Sequence, residues 1–66
     1  MYEPTQEIIV GELRLRGMMQ VADIMQILGP GFASIIPYEI QRLKAMGLVV
    51  YEEPLGLDSV LRFPQA

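Results

Sequence analysis

Gly17, the triplet Gly29-Pro30-Gly31 and Gly47 cut this chain into four short blocks. Glycine permits a left-handed turn and proline cannot continue a helical ladder, so no regular element should run through any of these points. The first three blocks carry apolar residues at helical spacing. The fourth is rich in β-branched and aromatic residues. The punctuation therefore predicts short helices followed by strands, folded as one unit.

Pro4 and Thr5 form a helix start, and in "QEIIVGELRLR" the residues Ile9, Val10 and Leu13 fall on one side. Ile8 and Leu15 lie almost one above the other on a second strip, which one small core would struggle to cover; that strip is the expected contact between two copies of the chain. In "VADIMQIL", Val21, Ile24, Met25 and Leu28 recur at helical spacing. A third helix is expected over residues 34–46, with Ser34 as its N-cap and Pro37 in the first turn, where a missing N–H costs nothing. Ile36, Ile40 and Leu43 line its inner face, and at about 100° per residue Ile35, Tyr38, Gln41, Arg42 and Ala45 point outward. The segments "LVVYEE" and "SVLRF", separated by "PLGLD", read as a hairpin. The expected core is Val10, Leu13, Val21, Ile24, Leu28, Ile36, Ile40, Leu43 and Val50.

At 66 residues the chain has room for one domain over 1–66, with residues 1–4 and 64–66 expected to fray. Cysteine and histidine are absent, so no disulfide framework and none of the usual zinc ligands can staple it. Packing or a second copy must supply that stability. An apolar fraction of 52% with 20% charged residues is far from the composition of a disordered chain. No run approaches the roughly 18 apolar residues of a membrane helix, and a soluble, cytoplasmic protein is expected.

The pieces "LRLRGMMQVADIMQIL" and "IQRLKAMGLVVYEE" resemble the winged helix-turn-helix family of DNA-binding domains, the first its first-helix end and second helix, the second the end of its recognition helix entering the wing. The likeness covers nearly the whole chain. It implies an α+β winged helix-turn-helix fold, three helices followed by a two-stranded β-hairpin wing, in which two helices cross steeply and the second projects its outer face. Carried over position by position, the family's base-reading role falls on Ser34, Ile35, Tyr38, Gln41 and Arg42. Phosphate contacts fall to Lys44, to the start of the second helix near Gln20, and to Arg62 on the wing. The short winged-helix proteins of ferrous-iron transport operons are also similar, in size and in the "LRLRG" beginning, but their wing cysteines are missing here. An iron–sulfur role has no ligands.

The departures are physical. Ile35, Pro37 and Tyr38 stand where DNA-gripping relatives carry basic or hydroxyl groups, the wing holds Glu52, Glu53 and Asp58, and the net charge is −3. Nonspecific affinity for nucleic acid comes chiefly from Lys and Arg neutralising phosphates. Arg42 with Gln41 fits base edges in a major groove, or equally solvates an exposed face. Phe32, Ile35 and Tyr38 form an apolar docking patch unless the loop folds Phe32 and Ile35 inward.

The "GPG" triplet lacks the lysine and hydroxyl of a phosphate loop and reads as a turn. The wing carboxylates lack the ligand alternation of a calcium loop and are better suited to discouraging edge-to-edge aggregation. Met18, Met19, Met25 and Met46 read as core and rim filling. A nucleophile would have to be Ser34 or Ser59 with Lys44 as base, and no spacing pairs them, so an enzyme, a cofactor and a small-molecule substrate are not expected. The leading expectation is a small DNA-binding transcriptional regulator acting as a homodimer through Ile8 and Leu15. Its alternative is an interaction module that docks a protein through Phe32, Ile35 and Tyr38.

Overall fold

The computed structural model describes residues 4–64. Helix α1 spans Pro4–Arg16, strand β1 Met18–Gln20, helix α2 Val21–Leu28, a 3-10 turn Pro30–Phe32, helix α3 Ile36–Ala45 and strand β2 Val60–Arg62. The architecture is α+β, three helices against a two-stranded antiparallel sheet.

Each helix ends where glycine was expected to end it. Gly17, Gly29 and Gly47 all take positive φ, at 83°, 90° and 78°. At Gly47 the closure is complete: its N–H bonds the Lys44 carbonyl at 2.9 Å while the Leu48 N–H reaches back to Leu43 at 3.0 Å. This paired arrangement satisfies two carbonyls that the helix itself leaves open. At the other end of α1, Pro4 is the first helical residue and Glu7 sits in the first turn, with Arg14 and Arg16 in the last, so the charges complement the helix dipole. Of the expected frayed ends, residues 1–3, 65 and 66 lie outside the described residues.

Helix α3 begins at Ile36, its N-cap one residue later than expected, and Ser34 does not cap it. The N-cap position is Ile35, with φ −96° and ψ −20° and no side-chain cap bond. The reason lies upstream: Phe32, Ala33 and Ile35 donate in turn to Gly29, Pro30 and Phe32 at 3.0 to 3.2 Å. This run of tight turns leads into α3 directly. A serine cap needs extended backbone, which such a run does not supply.

The sheet also differs from the expected hairpin. β2 pairs with β1, in the register Met18↔Arg62, Met19↔Leu61 and Gln20↔Val60. Among the described residues, the "LVVYEE" arm joins it only through a Val50↔Arg62 bridge. The loop over residues 52–59 instead folds over the start of α2, where the N–H groups of Val21 and Ala22 donate to the Ser59 and Leu57 carbonyls, each at 3.1 Å. Those carbonyls are committed to a helix end rather than to a ladder.

The core gathers Ile9, Val10 and Leu13 of α1, Met19, Val21 and Ile24, the α3 stripe Ile36, Ile40 and Leu43, then Val49, Tyr51 and Leu61. Leu28 packs at its edge, partly buried. Val50 does not belong to it: Val49 is 1% exposed and Tyr51 is buried, while Val50 is half-buried between them. In extended chain, successive side chains alternate faces, so a one-residue error in register exchanges inside for outside. Among the methionines, Met19 is buried and Met25 packs on the core, whereas Met18 and Met46 are exposed.

Candidate macromolecular interface

Helix α3 presents its outward face to solvent. Ile35, Tyr38, Gln41 and Arg42 are all exposed, and Tyr38 reaches 68%, unusually open for an aromatic side chain. Phe32 and Ile35, each 41% exposed, do not fold inward; the turns that replace the serine cap hold them beside the start of the helix. Ser34 is exposed in the same turns. The face expected from helical spacing is therefore assembled, with Phe32 added at its amino-terminal end.

The basic groups are held differently. Arg42 Nη1 lies 3.6 Å from Glu39 Oε1, one turn back on the same helix. Lys44 turns away from the outward face, its Nζ 3.1 Å from Glu53 Oε1 and 4.4 Å from the centre of the Tyr51 ring. The exposed Lys44–Glu53 pair adds little stability, on the order of 0 to 1 kcal/mol, yet each pair cancels a positive charge locally. Burial pushes the Tyr51 phenol above its ordinary value of 10.0, the Glu53 charge adds to the rise, and Lys44 opposes it.

Gln20 is exposed at the start of α2, but the surroundings do not suit an anion. The Asp23 carboxylate accepts the Gln20 N–H at 3.0 Å, and the next two helix N–H groups already bond the Ser59 and Leu57 carbonyls. A helix N-terminus attracts phosphate through open N–H groups and positive potential, and both are reduced here. Arg62 is exposed on β2, and neither it nor Arg14 makes an ion pair among the described residues. Below it, Glu52, Glu53, Asp58, Ser59 and Arg62 line a shallow pocket of predominantly acidic character. No group of carboxylates among the described residues is placed to hold a metal ion.

Two polar residues outside the sequence-derived set join the back of α3 to α1. Glu39 is 7% exposed and Gln6 3%, and the Gln6 Nε2 donates to Glu39 Oε2 at 2.8 Å. A signal existed for both. Gln6 extends the stripe of Ile9, Val10 and Leu13 back by one turn, and Glu39 sits within the stripe of Ile36, Ile40 and Leu43. Polar residues at stripe positions on two packed helices are expected to satisfy each other.

Ile8 and Leu15 stand on the opposite side of α1, 44% and 81% exposed. No helix among the described residues is long and apolar enough to cross a membrane. Neither a protein-family model, nor a curated protein, nor a solved structure matches this chain.

Proposed function

We propose that this chain is a winged helix-turn-helix module that works by binding another protein, with Phe32, Ile35 and Tyr38 as the docking surface. The order of α1, β1, α2, α3 and β2, with Val50 bridging to β2, supports the winged-helix reading. The observation that carries the functional reading is the exposure of Tyr38 beside Ile35 and Phe32 on a face whose charges are balanced internally. A contiguous apolar surface on a small protein marks an interaction site, and a projecting aromatic is the common anchor of such sites. The occupant is an uncharged apolar segment of a partner protein, because the face offers area and almost no net charge.

A second reading, the DNA-binding regulator, is favoured by the exposure of Gln41 and Arg42 on the projecting helix and of Arg62 on β2. Against it stand the Lys44–Glu53 pair, the occupied start of α2 and the acidic wing. The testing experiment pairs a low-salt titration with mixed duplex DNA and a selection of peptide binders on the folded protein. The expected result is no duplex binding, together with apolar and aromatic peptides that lose affinity for Tyr38→Ala. Tight, salt-sensitive duplex binding lost in Arg42→Ala would replace this reading with the regulator.

A further inference from the structure

Helix α1 carries a second seam, opposite its core face. Pro4, Ile8, Gly11 and Leu15 follow one another at spacings of four, three and four residues, the periodicity of a helix that packs against another helix along its length. Ile9, Val10 and Leu13 are buried on the far side, and no described residue covers the seam.

Gly11 is the informative member. It lies in the middle of α1, where glycine costs about 1 kcal/mol relative to alanine. Its φ is not positive, and a Cβ built there would meet nothing within 4 Å. Neither backbone conformation nor packing within this chain requires it. A glycine at a helix crossing lets two axes approach to the short end of the usual range of about 8 to 10 Å, and this supplies the missing reason.

Charge selects the occupant. Glu7 and Arg14 flank the seam on the same side, both exposed and neither in an ion pair among the described residues. Glu7 stands four residues before Gly11 and Arg14 three after it. In an antiparallel pair centred on Gly11 the two come within about 1.5 Å of the same level along the axis, at a rise of 1.5 Å per residue. The two-fold symmetry repeats the pairing on both copies. In a parallel two-fold pair the flank carrying Glu7 and Arg14 faces the opposite flank of the partner, so the two would not meet.

We infer that α1 binds the α1 of a second copy of this chain, antiparallel and crossing at Gly11, with Ile8 and Leu15 packed across the crossing and Glu7 paired to the partner's Arg14. Because the seam faces away from α3, the pairing leaves the outward face of α3 open on both copies, so this inference stands apart from the choice between protein and DNA.

Sedimentation velocity over a concentration series tests it, with circular dichroism recording that each variant is folded. The parent should associate to a dimer, and Leu15→Glu and Gly11→Leu should be folded monomers, since nothing in the same chain obstructs a side chain at position 11. Glu7→Arg and Arg14→Glu should each weaken association by about tenfold, and the double reversal should restore it to within about threefold of the parent. A parent that stays monomeric at its highest soluble concentration overturns the inference, and so does a Gly11→Leu chain that dimerises as the parent does. Charge reversals that fail to rescue each other overturn the antiparallel register.

Discussion

The Gln6 side-chain amide donates to the Glu39 carboxylate at 2.8 Å across the packing of α1 on α3, and both groups are buried. Around them are the apolar stripes of the two helices, so the bond fixes one alignment of α1 against α3. A slipped alignment would leave a carboxylate facing hydrocarbon, at far greater cost than a mispacked leucine. Glu39 also lies beside Arg42, which connects the buried pair to the outward face of α3.

Gln6→Ala should therefore destabilise the fold by about 1 to 3 kcal/mol, the penalty of leaving a buried acceptor without its donor. Replacing both residues by leucine should cost less than the single change, because apolar groups of similar volume need no partner. Denaturant unfolding of Gln6→Leu, Glu39→Leu and the double variant measures the coupling. A coupling indistinguishable from zero would mean that water serves Glu39 as well as Gln6 does.

The buried stripe residues should behave as ordinary core. Ile40→Ala or Leu43→Ala should cost roughly 2 to 5 kcal/mol, a large part of the stability of so small a domain. The discriminating comparison is next door: Val49→Ala should cost more than Val50→Ala, since only Val49 is fully enclosed. Equal costs in thermal or urea unfolding would place both on the sheet rim.

Helical spacing made most of this architecture legible. The α1 and α3 stripes, the three glycine ends and the outward set Ile35, Tyr38, Gln41 and Arg42 all follow from local geometry, which depends on residues within a turn or two. Other features did not follow, and three of them show the nonlocal reason. Ser34 has the chemistry of a cap, but the turns from Gly29 to Ile35 determine the backbone that a cap would need. Val50 and Val49 are chemically alike, and only the closure at Gly47 decides which one points inward. The Lys44–Glu53 pair joins a helix to a loop whose path depends on the Leu57 and Ser59 carbonyls meeting α2. Lys44, expected as a phosphate contact, is thus paired with Glu53 of the 52–59 loop.

The two kinds of glycine should respond in opposite directions. Gly47→Ala forces a side chain into a left-handed conformation and should lose about 1 to 2 kcal/mol. Gly11→Ala has room and an ordinary helical backbone, and should gain about 1 kcal/mol in the monomeric chain. Thermal melts at low protein concentration, where self-association does not contribute, separate the two effects.

Tyr51 sets an alkaline limit. Its phenol is raised above 10.0 chiefly by burial and then by the Glu53 charge, so the folded chain keeps the proton that the unfolded chain releases. With fewer protons bound in the unfolded state, stability falls as pH rises. The contribution is complete below about pH 10, the unfolded value, and is lost on rising through the folded value. Tyr51→Phe should flatten that decline relative to the parent, in melts followed from neutral pH upward. An identical alkaline decline in both would assign it to other groups.

The outward face of α3 decides the function, because protein and DNA would use different atoms of it. If a protein docks there, Tyr38→Ala should weaken binding by about 2 kcal/mol or more, as removal of a central aromatic anchor does. Lys44→Ala should then change little, since Lys44 is already engaged by Glu53 and Tyr51. If a duplex binds, Arg42→Ala should cost about 1 to 3 kcal/mol on the preferred sequence, and Lys44→Ala should weaken all sequences and flatten the salt dependence. Glu53→Gln provides the sharpest contrast, because it releases the Lys44 ammonium without touching the apolar patch. A DNA reader should bind more tightly after that change and respond more steeply to salt, whereas a protein-docking face should bind its selected peptides unchanged.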